Sequence, residues 1–398
     1  MAKPVWFRRN GFAIRAPRVL ASGFGAQVSA FRFHFRVLHF ASKRYSLPLR
    51  TPLRTAHGPW TVRDGLLVRL EDDAGGVGFG EIAPVPWFGT ETVAEAAEVC
   101  AKLGDRIDDS AAAAIESRFG CVRFGLASAQ NQIRAGFPDP AKSELADENA
   151  RPGAKPAAVG EASLLQSESS ATRLPLTALL PAGRAALDAL RDRLESGWLS
   201  FKWKVGVEPV DLELGLLDEL LAALPSYAKL RLDANGAWNR REAARWLERC
   251  ADRPVEFVEQ PVTPADKSAL LGLAADFPVK LALDESVVRL DEARRWQAEG
   301  WTGVFVVKPA LAGPLDELVR WAADAKVDVV LSSAIETALG RAAILRTMLR
   351  EPALRRRAPG FGIGEVFGDR RFDGPVTGPV WDEFWAKNVN PAEIWSSL

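Results

Sequence analysis

Five charged side chains recur at a near-constant interval in the second half of this sequence: Lys204, Asp233, Glu259, Asp284 and Lys308, separated by 29, 26, 25 and 24 residues. Each stands at or near the end of a short apolar run of strand type, so the interval is one strand–helix unit. Three carboxylates on successive strands, with no His or Cys among them, suit a hard cation: Mg²⁺, with Mn²⁺ as the alternative. Such an ion keeps positions open for water or for the oxygens of a substrate carboxylate, and lysines on flanking strands act from opposite sides of that substrate. A metal that neutralises charge on an enediolate makes a carbon acid beside a carboxylate far easier to deprotonate. The base needs a pKa near ~7–8. Lys202, two residues before Lys204 and on the same strand face, is the neighbouring cation that, with the metal, lowers it. One Asp or Lys at a strand end is ordinarily a helix cap or a solvated charge, and an Asp284-Glu285 pair is ordinarily surface charge. Five in register, two lysines bracketing three acids, are hard to obtain that way.

The elements that must position this set read as follows. Strand-like runs at 174–180, 198–205, 228–234, 255–260, 279–285, 303–309 and 327–333, with a further one at 360–367, alternate with amphipathic helices such as 209–223, 240–250, 290–299 and 314–325. Repeated βα units of about 25 residues imply a parallel sheet, and eight such strands close a barrel whose C-terminal strand ends share one mouth. Leu281 and Leu283 fall on the face opposite Asp284, so apolar residues meet the helices while charges point inward. Ahead of the barrel, residues 31–41, 64–71 and 77–83 read as an antiparallel meander with a turn at 72–76. Helices follow at 91–103, with Thr90 as N-cap, and at 110–129. The Pro-, Arg- and Gly-rich stretch 46–60 reads as a mobile loop overhanging the mouth. His57 on it is a candidate gate and Arg54 a candidate carboxylate binder.

The domain plan is therefore an N-terminal extension (1–30), an α+β capping domain (31–130), a low-complexity insertion (131–172), the barrel (173–375) and a C-terminal segment (376–398) packing back on the cap. Formal net charge is zero over 398 residues, so no global field argues for nucleic acid or an anionic membrane, and no apolar run reaches a membrane span. Cys100, Cys121 and Cys250 are far apart and read as buried thiols of a cytoplasmic protein. From Met1 to Arg63 there is no Asp or Glu. The first 30 residues read as a disordered arm or a start codon placed too early; an RNA- or lipid-binding arm would need salt-sensitive binding lost on its deletion. His34 and His39 read as structural, and Trp246, Trp296 and Trp321 as packing between helices and barrel. Nothing in the sequence fixes an oligomeric state.

These motifs resemble the enolase superfamily, in its muconate-lactonizing subgroup. Lys202-Trp203-Lys204 looks like its KxK motif; Asp233 in LDANGAW, Glu259 in VEQP and Asp284 in LDES look like its metal ligands; Lys308 in VVKP looks like its opposing lysine. The segment LPLRTPLRTAHGPWTVRDGLLVRLEDDAGGVGFGEIAPVPWFGTET, the run CVRFGLASA and Ser332-Ser333-Ala334-Ile335-Glu336-Thr337 are similar to the o-succinylbenzoate synthase family. The resemblance implies an α/β fold, a modified TIM barrel, (β/α)7β, under an N-terminal α+β capping domain. It also implies dehydration of 2-succinyl-6-hydroxy-2,4-cyclohexadiene-1-carboxylate to o-succinylbenzoate in menaquinone synthesis. Lys204 would be the base and return its proton to the leaving hydroxyl, Lys308 would stabilise the anion, Lys202 would orient substrate, and Ser332 and Ser333 would meet the succinyl carboxylate. Alternatives are an N-succinylamino acid racemase, a dipeptide epimerase, or a non-catalytic barrel used as a binding module. The 131–172 insertion is long for the family. Gly362-Ile363-Gly364-Glu365 lacks the DxD pair that dipeptide epimerases carry there.

Overall fold

The computed structural model describes residues 36–55, 57–108, 110–136 and 173–398. The expectations for 1–30, for His34 and for most of 131–172 lie outside these residues.

The cap is a four-stranded antiparallel sheet in the order β3-β2-β1-β4, built from β1 (Val37–Thr55), β2 (Gly58–Asp72), β3 (Val77–Ile82) and β4 (Arg106–Asp108). The expected loop at 46–60 is not a loop. β1 and β2 continue through it as a two-stranded ribbon that ends at Thr55↔Gly58. The alternation that marks a strand is there, since Tyr45, Leu47 and Leu49 are buried while the residues between them are exposed. Pro48 and Pro52 disguise it. Prolines cannot donate to a ladder, and the register shifts between Pro48 and Leu53, where the sheet has become a ribbon that tolerates them.

Helix α1 (Val93–Leu103) starts two residues later than expected. Thr92, with Glu95, forms the capping box, and the Thr90 hydroxyl instead accepts from the Val85 N–H. The helix expected at 110–129 is two, α2 (Ala111–Ala114) and α3 (Gly120–Arg134), because Ile115 is extended. α3 lies directly on β3. A Cβ on Gly78 or Gly80 would stand 2.0 Å from the Ala129 carbonyl oxygen or 1.9 Å from that of Gly125, so only glycine permits this approach.

The barrel opens with β5 (Leu174–Pro175) and seven parallel strands in sequential order: β6 (Thr177–Leu180), β7 (Ser200–Lys204), β8 (Lys229–Asp233), β9 (Val255–Glu259), β10 (Leu281–Leu283), β11 (Val304–Val307) and β12 (Asp328–Leu331). Helices α4 (Ala185–Glu195), α5 (Val210–Ala223), α6 (Arg240–Cys250), α7 (Lys267–Asp276), α8 (Leu290–Ala298), α9 (Pro309–Ala312) and α10 (Leu315–Asp324) fill the crossovers, and α11 (Ala338–Arg350) follows β12. The run at 360–367 is not an eighth strand but a seam. The Gly360 N–H donates to the Leu331 carbonyl (2.8 Å), the Thr177 N–H donates to the Pro359 carbonyl (2.9 Å), and Gly362 bridges Ala178. That joins the two sheet edges. A Cβ on Gly362 would sit 2.4 Å from the Thr177 carbonyl oxygen, so the close approach that closes the ring also keeps side chains out of it.

Leu281 and Leu283 join the large core between strands and helices, whereas Ala282 joins Phe257, Val304, Val306 and Val330 in a small cluster inside the ring. The alternation expected around Asp284 is therefore present. Trp246 stacks on Trp238 with centroids 4.8 Å apart, and Trp321 meets the edge of Phe305. All three cysteines are buried free thiols, their pKa values raised by burial, that of Cys250 to about 12. Beyond the barrel, β13 (Val380–Trp381) pairs with β5, and α12 (Glu383–Lys387) and α13 (Pro391–Ser396) follow. Trp395 rests against Phe79 of the cap, and its carbonyl accepts from Lys43 Nζ at 3.0 Å. No described helix is long and apolar enough to cross a membrane.

Candidate active site

Strand register brings three of the charged residues into one row. Lys204 pairs with Asp233 and Asp233 with Glu259, so their side chains leave neighbouring strands on the same face. Glu259 pairs with Ala282, two residues before Asp284 on that face. Lys202 starts one layer deeper and reaches up: its Nζ lies 2.7 Å from Asp233 Oδ2 and 2.7 Å from Glu259 Oε1. Lys308 bonds Asp284 Oδ1 and holds its ammonium 4.2 Å from the centre of the Phe88 ring, contributed by the cap. Lys204 is different. It is half-buried, it lines the cavity above the row, and among the described residues no hydrogen bond or ion pair engages it.

The acids are crowded. Asp233, Glu259 and Asp284 are all buried. Burial first, then the charge of Asp233, pushes the Glu259 pKa well above the ordinary carboxylate range although Lys202 and Lys308 oppose it. Glu285 is pushed up to about 7, by burial and then by Asp284 and Asp233. Burial works against the Lys202 charge, but Asp233, Glu259 and Asp284 outweigh it and hold this lysine protonated. Among the described residues no three acidic, histidine or cysteine side chains stand as a ready-made metal cage. The carboxylate oxygens are turned to the two lysines instead.

The cavity over this row has a volume of about 600 Å³, with Lys204, Lys308, Asn235 and Glu285 at its base. Its rim carries His57, Trp60 and Trp87 from the cap, the two indoles meeting edge to face at 4.9 Å. Ser333, Ala334 and Ile335 form one wall. A cavity of about 500 Å³ between α3, α10 and α11 contains none of the strand-end set.

Sequence-derived candidates distribute unevenly over this site. Lys202, Lys204, Asp233, Glu259, Asp284 and Lys308 converge. His57 is exposed at the ribbon tip, on the rim. The side chain of Arg54 lies outside the described residues. Ser333 lines the wall, but its hydroxyl donates to Glu336 Oε1 and accepts from the Ile335 N–H, both at 3.0 Å. Ser332 stands at the closing seam against Gly360 and does not line the cavity. Sequence reasoning missed Glu285, Asn235, Phe88, Trp60 and Trp87. Glu285 follows Asp284 in the same motif, and its position after a strand end was the available signal. Asn235 Nδ2 donates to Glu285 Oε1 (3.0 Å), and the Asn235 N–H donates to Asp233 Oδ1 (3.0 Å).

Comparison with known proteins agrees with this layout. Residues 185–376 match the family described as enolase C-terminal domain-like, and residues 39–133 match the N-terminal domain of MenC. The chain is 39% identical over 325 residues to an o-succinylbenzoate synthase of Thermosynechococcus vestitus, covering 80% of this chain and 90% of that protein. It is 33% identical to that of Edwardsiella ictaluri, covering 76% and 84%. The crystal structure of o-succinylbenzoate synthase from Thermosynechococcus elongatus BP-1, complexed with magnesium in its active site, superposes with a TM-score of 0.73 at 34% identity, covering 90% of this chain and all of that one. An L-Ala-D/L-Glu epimerase from Bacillus subtilis shares the fold, with a TM-score of 0.63 at 20% identity over 87% of this chain and 96% of its own. This chain belongs to the o-succinylbenzoate synthase family.

Proposed function

We propose that this chain is a Mg²⁺-dependent lyase, acting in the cytoplasm on a small carboxylate: it dehydrates 2-succinyl-6-hydroxy-2,4-cyclohexadiene-1-carboxylate to o-succinylbenzoate, a step of menaquinone synthesis. The observation that carries the reading is the asymmetry among the lysines. Lys202 and Lys308 are committed to carboxylates, and Lys204 alone faces the cavity unpaired.

The residues present fit a divalent cation. Four acids, Asp233, Glu259, Asp284 and Glu285, share two clamped lysines, and Glu285 Oε2 is buried with no hydrogen-bond partner among the described residues. The donor set is all oxygen, as Mg²⁺ or Mn²⁺ prefers. Asp233, Glu259 and Asp284 would hold the ion. Bound there, it would neutralise the charge that builds on the substrate carboxylate as the adjacent carbon loses its proton.

Lys204 takes the proton from the ring carbon that bears the carboxylate. It returns that proton to the departing hydroxyl, so the C–H and C–O bonds break, water leaves and the ring becomes aromatic. Lys308, fixed between Asp284 and the Phe88 ring, places its ammonium beside the ring, and Lys202 holds Asp233 and Glu259 in alignment through its two contacts. A racemase needs two lysines that exchange protons. Dehydration that returns the proton to the leaving hydroxyl needs only one.

The test incubates purified protein and Mg²⁺ with the cyclohexadiene, beside N-succinyl amino acids. Diene absorbance should fall rapidly, and the fall should vanish with EDTA or in Lys204→Ala. Undiminished turnover in that variant would remove Lys204 as base, and faster racemisation than dehydration would make the chain a racemase.

A further inference from the structure

Arg63 has no part in the chemistry so far, yet it is among the largest fully buried side chains. It leaves β2 of the cap, and its guanidinium donates to backbone carbonyls of three separate segments. Nη1 reaches Asp64 (3.0 Å) and Pro84 (2.6 Å), Nη2 reaches Ala83, and Nε crosses to the barrel to bond the Ile335 carbonyl at 3.0 Å. Its flat face lies 5.3 Å from the centre of the Trp60 ring on the cavity rim.

Ile335 is the unusual residue. Its φ is +61°, a left-handed conformation that a β-branched side chain strongly resists. It persists because both peptide groups are held: the Ile335 N–H donates to Ser333 Oγ, and its carbonyl accepts from Arg63. The next residues are pinned from the cap as well, since the Thr337 N–H and hydroxyl and the Gly340 N–H all donate to buried Glu81. The turn so constrained, Ser333 to Ile335, is the cavity wall.

We infer that Arg63 is a positioning residue that fixes substrate affinity: by holding the Ile335 carbonyl it keeps the Ser333–Ile335 turn left-handed and the cavity wall in its binding shape. Lysine cannot replace it, because one ammonium cannot span carbonyls on three segments as a planar fork does. The inference deepens the dehydratase reading and rests on it for its kinetic arm.

A double-mutant cycle between Arg63→Met and Ile335→Gly tests it, with the diene as substrate and Mg²⁺ present. Glycine adopts the left-handed region freely, so it removes the need for the clamp. Arg63→Met alone should raise KM by roughly 10-fold and change kcat by less than about 3-fold, and in the Ile335→Gly background the same change should raise KM by less than about 3-fold. A merely structural arginine would lower the melting temperature and cost the same in both backgrounds, and that result overturns the proposal. Where Arg63→Met does not fold, Arg63→Lys, which keeps the buried charge, carries the same cycle. Amide hydrogen exchange across 333–337 probes the clamp without relying on turnover. Loss of Arg63 should speed exchange there about 10-fold relative to 255–259, and equal rates overturn the proposal. Absence of wild-type turnover alongside that faster exchange would sink the dehydratase reading and leave the clamp standing.

Discussion

The two ends of this barrel bury charge in opposite ways. At the N-terminal end, Arg231 Nε bonds Glu256 Oε2 (2.6 Å), Arg357 bonds Glu256 Oε1 (2.5 Å), and the Arg357 fork grips both oxygens of Asp328 (2.7 Å each). The guanidinium of Arg231 also stacks 4.9 Å from the centre of Phe257. Burial works against the Glu256 charge, but Arg231 and Arg357 outweigh it and its pKa falls; Asp328 is brought down to about 2, hydrogen bonds from Arg357 and Lys280 overcoming burial. At the C-terminal end the same residue types give the reverse, with Glu259 and Glu285 raised. At the floor each acid has a guanidinium partner, whereas the mouth holds more acid than its lysines satisfy. A buried network with its charges paired serves the fold, and a deficit of cation maintained at the strand ends is what a metal-dependent site requires.

The largest effect should come from the free lysine. Lys204→Ala should lower kcat by about 10³-fold or more, within the usual reach of general acid–base catalysis, while the melting temperature stays within a degree or two of wild type. A parallel fall in stability would make Lys204 part of the architecture and erase the contrast it draws with Lys202 and Lys308.

Neutralising one acid at each end breaks the comparison most directly. Glu256→Gln leaves the buried Arg231 without its counter-ion and should cost about 3–5 kcal/mol in chemical denaturation. Glu259→Gln relieves like-charge crowding, so the metal-free protein should be within about 1 kcal/mol of wild type or more stable, while losing activity and the stabilisation that added Mg²⁺ confers. Equal destabilisation by both would mean that the mouth is only another structural network.

Acid and base should also treat the ends differently. Glu285 binds its proton more tightly folded than unfolded, so metal-free stability is lost as pH rises through about 7 and regained as pH falls. Asp328 is the opposite: its contribution is present above the ordinary carboxylate range and is lost as pH falls toward about 2. Melting curves in EDTA should therefore climb from about pH 8 to about pH 5.5 and drop below about pH 4, with Glu285→Gln flattening only the upper limb. A steady rise of stability toward pH 8 in metal-free protein would contradict the raised carboxylate.

What the sequence made legible follows from its periodicity. The βα repeat, read from apolar runs about 25 residues apart, located seven barrel strands to within a few residues and with them Lys204, Asp233, Glu259, Asp284 and Lys308, because position on a strand dictates which mouth a side chain reaches. Where the local signal and the tertiary context conflict, the reading failed. Pro48 and Pro52 made a ribbon look like a loop, and glycines 360 and 362 made a closing seam look like a strand. Of the rim, only His57 was read. Phe88, Trp60 and Trp87 reach the cavity only because cap and barrel meet there, and no spacing within either segment records that meeting. Glu285 was hidden for a subtler reason: an Asp-Glu pair is ordinary at a surface, and only burial distinguishes this one.

Lys280 at the floor gives the smallest effect and the finest test. Its Nζ lies 3.0 Å from Asp328 Oδ2, but its side chain is 53% exposed and Arg357 already satisfies both oxygens of that acid. An exposed ammonium beside a carboxylate that is already paired gains little, because water screens it and ordering its long stem costs entropy. Lys280→Ala should therefore change stability by less than about 0.5 kcal/mol, and by less still at high salt. Arg357→Ala, one partner further in, removes the guanidinium shared by Glu256 and Asp328 and should cost several times more. Similar losses from the two variants would show that the floor depends on its total charge. A large gap would show that it depends on the geometry of one arginine, and the contrast with the mouth would then be one of completed hydrogen bonds as much as of net charge.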